Sequence, residues 1–252
     1  MLTESSYLFL MVVVGLCSGV INSLAGGGPI IVVATLAAFG LPATTASLTS
    51  TVSLLPGQVA AVLLGRSRAT PLPSLASWRG AVALALAGGA VGATLLLLTP
   101  VAIFARLLPY LIILATVLYG WQSRSPVASS GEQPPRRIGL LWWLVPLSIY
   151  GGFYGGGNSF MVMALLAAYG LDLHAAAHAK NRIILLINLA AGAIFFWSGA
   201  IAWPITWPLA IGATLGSLAG IFLLGRVNPR QLRWIVIAIG GGLAGFLLLR
   251  GQ

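Results

Sequence analysis

Two runs of three glycines are candidates for a binding site in this chain, because each run lies between a long apolar segment and a shorter one. The six glycines are Gly26, Gly27 and Gly28 and, 129 residues later, Gly155, Gly156 and Gly157. Pro29 follows the first run and Asn158 and Ser159 follow the second, and these residue types favour helix starts. Helix starts present unpaired N–H groups and a positive dipole end, so the pair predicts an anion site. The alternative is that the glycines only permit close helix packing.

Polar side chains near the two runs can add hydrogen bonds or charge to this site. Besides the glycines, the predicted anion-binding residues are Asn22, Ser50, Thr51, Asn158, Ser159, Lys180, Asn181 and Arg182. A charged residue in or near a membrane segment is a functional hypothesis by default. The alternative for Lys180 and Arg182 is snorkelling toward the headgroups. Gln58 and Asn188 lie deeper in their segments and are interpreted as hydrogen-bonding partners between helices.

Three titratable residues follow the second short segment. His174 and His178 are four residues apart and share a face if the stretch is helical, and Asp172 lies just before them. Because histidine titrates near neutral pH, these residues are candidates for proton coupling. The alternatives are interfacial histidines beside a loop and an aspartate that pairs with Lys180 or Arg182 or caps the next helix. With no further acidic or cysteine partner, the spacing does not predict a metal site.

The composition is that of a membrane protein. Of 252 residues, 59% are hydrophobic and 6% are charged, whereas a soluble domain has about 25% charged residues. The net charge of +10 comes from 13 basic and 3 acidic residues. The basic residues stand between apolar segments rather than on one face beside aromatic residues, which argues against nucleic-acid binding. The sequence therefore predicts an all-α polytopic membrane protein.

Eight segments approach the length of about 20 apolar residues that a membrane-spanning helix needs. They are 7–24, 44–64, 78–98, 103–121, 139–154, 178–198, 204–224 and 233–250. Two shorter segments, 29–40 and 158–170, would each form a helix of about 18–20 Å, which is too short to cross comfortably. Each short segment follows a glycine run, so we predict two glycine-broken helical hairpins.

The two halves of the chain resemble each other. The stretch AGGGPIIVVATLAAFGLP at 25–42 matches YGGGNSFMVMALLAAYGLD at 154–172, and AAFGLP recurs as AAYGLD after 130 residues. Internal repeats of this kind are common in secondary transporters. We predict a first repeat over 1–121, a cytoplasmic linker loop over 122–137 and a second repeat over 138–252.

Loop charge distinguishes inverted from parallel repeats, because cytoplasmic loops collect Lys and Arg. Five segments in each half make the repeats inverted and place 11 basic residues on one side and only Arg106 and Arg250 on the other. The 11 are Arg66, Arg68, Arg79, Arg124, Arg136, Arg137, Lys180, Arg182, Arg226, Arg230 and Arg233. Four segments in each half would make the repeats parallel and split the same residues 7 to 6. We therefore predict inverted repeats with both termini outside.

The glycine-rich hairpin, the AA-[FY]-G-L element, the HAKN stretch at 178–181 and the internal repetition resemble the TauE/SafE sulfite exporter family. This family is also called the 4-toluene sulfonate uptake permease family, and the resemblance covers 7–250. It implies a bacterial inner-membrane carrier for sulfite, sulfoacetate or another organosulfonate. The family often has an Asn-Lys pair after the second short helix, whereas this chain has Lys180-Asn181, and Thr49-Ser50 in its first half. The difference leaves open which side chains contact the substrate.

These features predict a secondary transporter for a small sulfur-containing anion, with alternating access around a central site. The sequence has no G-x-x-x-x-G-K-[ST] loop, so we predict neither ATP use nor any cofactor. The predicted partners are the anion and membrane lipid; a coupled proton or cation and a homo-oligomer stay open. An enzyme is not predicted, because no nucleophile–base pair or metal-ligand set lies at membrane depth. The alternatives are an anion channel of the same architecture and a non-transport membrane assembly protein.

Overall fold

The computed structural model shows a helical protein. It describes residues 4–24, 26–64, 75–122, 137–169, 171, 173–223, 237–238, 241–242, 245–246 and 249. Within these residues the regular elements are α-helices and there is no strand. The predicted all-α class is therefore confirmed for this part of the chain.

Nine helices follow one another in the described part of the chain. They are α1 (Glu4–Leu24), α2 (Gly28–Ala38), α3 (Ala43–Leu64), α4 (Leu75–Leu98), α5 (Val101–Gln122), α6 (Arg137–Phe153), α7 (Asn158–Ala168), α8 (Leu173–Trp197) and α9 (Trp203–Leu223). Five of them (α1, α3, α4, α8 and α9) are long and apolar enough to cross a membrane. The predicted linker, except for its helical ends, and most of the last predicted segment, 233–250, lie outside the described residues.

The two short segments form α2 and α7, each of 11 residues and so about 16 Å long. Glycine occupies both N-cap positions, at Gly27 and Gly157. Gly26 has φ +86° and Gly157 has φ +76°, a region that residues with a Cβ rarely adopt. Most of α2 is buried, which agrees with the rule that irregular backbone at membrane depth is enclosed by protein.

The helices repeat with an offset of 130 residues, since α2 starts at Gly28 and α7 at Asn158, and α3 starts at Ala43 and α8 at Leu173. The first helix of each repeat packs against the fourth helix of the other repeat, giving the pairs α1–α9 and α6–α4. The third helices, α3 and α8, pack against each other. The repeats are therefore interleaved around an approximate two-fold axis that passes between α3 and α8.

Contacts between α3 and α8 give the relative direction of the repeats. Leu55 lies against Gly192, whereas Gln58 bonds to Asn188, so numbers rise along α3 as they fall along α8. The equivalent helices are therefore antiparallel. By the same test α1 and α9, which belong to different repeats, run parallel. Both directions are those of inverted repeats, and the predicted inversion is confirmed.

Glycines outside the two breaks bring helices of different repeats close together. A Cβ added to Gly19 on α1 would overlap the backbone carbonyl of Ala213 on α9, and one added to Gly216 would overlap the carbonyl of Leu16. Close approach through small residues is a common way for membrane helices to associate. For these glycines the packing explanation therefore holds.

Candidate functional site

The two glycine breaks meet in the folded protein. A Cβ added to Gly26 would overlap the side chain of Ser159 at the start of α7. A Cβ added to Gly28 would lie 2.7 Å from the Cβ of Asn22. Neither short helix has a side-chain hydrogen bond at its N-cap. The starts of the two helices therefore lie around one region. Some of their first-turn N–H groups already donate to backbone carbonyls: Ile30 to Gly27, Asn158 to Gly155 and Phe160 to Gly157.

A narrow cavity of about 20 Å³ opens beside this meeting point. Its lining residues are Asn22, Ser23, Gly57, Gln58, Ala61, Ser159, Asn181, Ile184 and Ser217. Six of these nine side chains carry hydrogen-bonding groups in a protein whose composition is 59% hydrophobic. The volume suits about one water molecule, so a larger solute can enter only if the walls separate.

Three of the predicted site residues, Asn22, Ser159 and Asn181, line this cavity. They come from α1, α7 and α8, which belong to both repeats. The 130-residue offset pairs Asn181 with Thr51, the neighbour of Ser50. The structure thus brings together polar residues that are as much as 159 positions apart in the sequence, from Asn22 to Asn181.

Other predicted residues lie around the helix starts without lining the cavity. Asn158 is 2% exposed and its Oδ1 has no hydrogen-bond partner, and the buried Ser50 hydroxyl has none either. The Thr51 hydroxyl donates to the backbone carbonyl of Ser47 at 3.1 Å. In the second glycine run, the Gly156 carbonyl accepts a hydrogen bond from Tyr150 Oη at 2.8 Å. Ser50 and Asn158 therefore have capacity for another ligand, whereas Thr51 already uses its hydroxyl proton within α3.

Lys180 and Arg182 have different environments. Lys180 is 7% exposed, which argues against snorkelling, because a snorkelling side chain keeps its ammonium group in water. Arg182 lines a second pocket of about 340 Å³, together with Trp78 and apolar side chains of α3, α4 and α8. Arg182 therefore faces away from the polar cavity that Asn181 lines.

The described side chains include no acid to neutralise Lys180 or Arg182. The three acidic residues of the chain are Glu4, Glu132 and Asp172, and each has its side chain outside the described part. Every charged Lys, Arg, Asp or Glu side chain that the structure describes is therefore basic. Asp172, the acid nearest in sequence to Lys180 and Arg182, is one of the three acidic residues, so its relation to these two basic residues lies outside the described residues.

The titratable residues predicted for proton coupling are only partly described. Asp172 and the side chain of His174 lie outside the described residues, although His174 belongs to α8. His178 is half-buried on the same helix. Among the described residues no group of three His, Cys, Asp or Glu side chains is arranged to hold a metal ion.

Sequence reasoning missed part of the cavity. Gln58 and Asn188 form the predicted interhelical hydrogen bond, with Asn188 Nδ2 donating to Gln58 Oε1 at 2.9 Å, but Gln58 also lines the cavity. Ser23 and Ser217 line it too, and the Ser23 hydroxyl donates to the Ser217 carbonyl at 3.0 Å. The 130-residue offset between Gln58 and Asn188 could have indicated a central pair. A single serine in apolar α9 carries no comparable local signal.

Comparison with known proteins gives a consistent result. The family described as sulfite exporter TauE/SafE matches residues 11–247. A probable membrane transporter protein of Haemophilus influenzae is 32% identical over 230 residues, which cover 89% of this chain and 88% of that protein. The probable membrane transporter protein YfcA of Escherichia coli is 24% identical over 240 residues, covering 93% and 87%. A probable membrane transporter protein of Sinorhizobium, ORF9, is 28% identical over 209 residues, covering 81% and 77%.

No solved structure matches this chain significantly. The family match extends over both repeats and includes both glycine breaks, the HAKN stretch and the residues that line the cavity. The three relatives named above are each described as membrane transporters. With its interleaved inverted repeats and its apolar spanning helices, the chain is a membrane transporter that belongs to the sulfite exporter TauE/SafE family.

Proposed function

We propose that this protein is a secondary carrier for a small sulfur-containing anion: sulfite, sulfoacetate or another organosulfonate. The observation that carries the proposal is the meeting of the two glycine breaks at Gly26 and Ser159, beside a cavity with polar walls. The family description supplies the sulfur chemistry. The site supports an anion because six of the residues that line the cavity have side chains with hydrogen-bond donors.

The anion is bound by backbone and side-chain donors together. The N–H groups of Gly28 and Ser159, at the starts of α2 and α7, bind its oxygen atoms, as helix starts do for phosphate and sulfate. The hydroxyl of Ser159 and the amides of Asn22 and Asn181 complete the shell, since all three residues line the cavity. Ser50, whose buried hydroxyl lacks a partner, joins as a donor when the site opens. The unpartnered atom of Asn158 is Oδ1, an acceptor, so this atom does not bind the anion.

Lys180 supplies positive charge near the site without lining the cavity. It is buried on α8 next to Asn181, and the described residues give it no carboxylate partner. Burying an unpaired charge is costly, and an incoming anion removes that cost. Arg182 acts at longer range from its own pocket, where solvent weakens its field.

Transport follows from the inverted repeats, which exchange conformations so that a central site opens to either side in turn. The loop charges support an orientation with both termini outside, and the bacterial relatives support a location in the inner membrane. In this orientation α3 and α9 end, and α8 begins, at the cytoplasmic face, so the cavity belongs to the cytoplasmic half of the membrane.

Asp172, His174 and His178 are the candidates for coupling transport to protons. A cavity of about 20 Å³ favours a carrier over the alternative, an open anion channel.

The proposal is tested by thermal unfolding of the detergent-purified protein in a panel of anions at fixed ionic strength. A ligand at 100 times its Kd stabilises the folded state by about 2.7 kcal/mol. We expect the midpoint to rise with sulfite or a sulfonate and to stay constant with chloride. Asn181→Leu is expected to lose this rise, whereas Thr94→Val, an exposed site on α4, keeps it. An equal response to all anions would contradict the proposal.

Carrier and channel are separated by a second measurement on protein in liposomes. A carrier accelerates the uptake of labelled sulfite when unlabelled sulfite is present on the opposite side, because loaded sites return faster than empty ones. A channel shows no such counterflow. Non-saturable flux without counterflow would therefore support the channel.

A further inference from the structure

Gln58 and Asn188 are equivalent residues of the two repeats, 130 positions apart, and they touch. Both are buried, with 7% and 6% exposure, and Asn188 Nδ2 donates to Gln58 Oε1 at 2.9 Å. A residue that contacts its own equivalent must lie close to the axis that relates the two repeats. The Gln58–Asn188 pair therefore marks the two-fold axis of the molecule.

The axis is the part of an inverted-repeat carrier that changes least during transport. When the repeats exchange conformations, the walls on either side open and close, but a group on the axis keeps the same distance from both sides. A substrate that is reached from each side in turn must therefore pass beside such a group.

The cavity reaches the axis at Gln58. Its walls include Gln58 together with Gly57 and Ser217. Gly57 and Ser217 lie in close contact, since a Cβ added to Gly57 would lie 2.5 Å from the Ser217 hydroxyl oxygen. The cavity is therefore narrow beside Gln58, and a group that enters it lies next to this side chain.

The nitrogen end of the Gln58 amide is the end that does not bond to Asn188. The amide oxygen accepts the hydrogen bond from Asn188, and the nitrogen carries two N–H donors on a side chain that lines the cavity. An amide N–H₂ group donates and cannot accept, so this end is suited to an oxyanion. Asn188 is absent from the cavity lining and holds the Gln58 amide in this orientation.

We propose that Gln58 is a substrate-contacting residue on the two-fold axis, that its N–H₂ group donates to an oxygen of the transported anion, and that Asn188 is its positioning residue. This inference rests on the proposed function, since it assigns a further ligand to the same site. The contact between Gln58 and the anion favours oxyanions over halides, because an amide N–H forms a directional hydrogen bond with an oxygen acceptor.

Gln58→Glu separates this role from simple helix bridging. A glutamate at position 58 can still accept the hydrogen bond from Asn188, but it lacks the N–H donors and adds negative charge in the cavity. We expect an unliganded unfolding midpoint below that of the wild type, because a buried carboxylate is costly, and a sulfite affinity reduced about tenfold or more, as for hydrogen bonds to charged groups. Ser198→Asp adds the same charge at an exposed site beyond α8 and is expected to bind sulfite like the wild type.

A second pair of variants decides the question if Gln58→Glu does not fold. Gln58→Met and Asn188→Leu both remove the interhelical hydrogen bond, but only Gln58→Met removes the donor that faces the cavity. We expect Gln58→Met to weaken sulfite binding several-fold more than Asn188→Leu.

Three results are informative. Wild-type sulfite affinity in Gln58→Glu, or equal losses in Gln58→Met and Asn188→Leu, would overturn the axial role while the carrier proposal stands. A wild-type protein that responds to no sulfur oxyanion would overturn both. Loss of sulfite binding in Gln58→Glu with retention in Ser198→Asp is the expected result.

Discussion

The contact between the two glycine breaks can be tested at Gly26, because the chain offers a matched control at Gly40. The two glycines have nearly the same backbone conformation, with φ +86° and φ +91°. A Cβ at Gly26 would overlap Ser159, whereas a Cβ at Gly40 would meet no atom within 4 Å. Gly40→Ala therefore measures backbone strain alone, and Gly26→Ala measures strain plus the clash with α7.

The magnitudes follow from the two causes. Placing alanine in the left-handed region costs about 1–2 kcal/mol, and this cost is common to both variants. Overpacking a close contact adds about 1–3 kcal/mol, and this cost applies only to Gly26→Ala. Since 1 kcal/mol shifts the midpoint by about 2–4 °C in a protein of 150–250 residues, we expect Gly26→Ala to unfold several degrees below Gly40→Ala.

The assay is thermal unfolding of both variants with and without sulfite. We expect Gly40→Ala to keep the stabilisation by sulfite and Gly26→Ala to lose it, because separating Gly26 from Ser159 moves one helix start away from the other. The double variant Gly26→Ala/Ser159→Gly removes the overlapping side chain and is expected to recover part of the unliganded stability. Equal midpoints for the two single variants, together with normal sulfite binding in Gly26→Ala, would refute the reasoning.

Further predictions concern charge, hydrogen bonding and topology. Lys180→Met removes a buried charge that lacks a described partner. We therefore expect a higher thermal unfolding midpoint without ligand and a sulfite affinity reduced about tenfold or more. A lower midpoint with unchanged sulfite affinity would contradict the role of Lys180 in anion binding. Arg182→Ala is expected to lower sulfite affinity by a smaller factor than Lys180→Met, because Arg182 lines a separate pocket, and calorimetric titration of both variants compares them. Cysteines at Leu55 and Gly192, in a protein with Cys17→Ser, are expected to cross-link on oxidation, since these residues lie in contact on α3 and α8; failure to cross-link would contradict the antiparallel packing.

Much of the fold could be predicted from the sequence, because a membrane constrains local sequence strongly. Apolar length determines where helices run, and the described helices α1 to α9 follow the predicted segments closely. The positions of the two glycine runs predicted the residues at which α2 and α7 begin. The 130-residue offset and the loop charges predicted inverted repeats, which the antiparallel pair α3 and α8 confirms.

The site was predicted less completely, because its members come from different helices. Asn22, Ser159 and Asn181 were predicted from their position beside the glycine runs, and these three line the cavity. Ser23 and Ser217 were not predicted, since a serine in an apolar helix has no local feature that shows which neighbour it faces. Arg182 was grouped with Asn181 by sequence, but adjacent residues on a helix point about 100° apart, and the two line different pockets.

The sequence by itself determined the membrane class, the helix positions, the duplication and the location of the two backbone breaks, since hydrophobic length and glycine or proline content act locally. Only the tertiary structure decided that the repeats interleave, so that α1 packs on α9 and α4 on α6. It also decided that Gly26 meets Ser159 and that Gln58 pairs with Asn188 on the two-fold axis. Except for α4 and α6, where for example Gly88 meets Ser148 60 positions away, these contacts join residues more than 100 positions apart. They depend on how helix surfaces fit together rather than on any property of the local sequence.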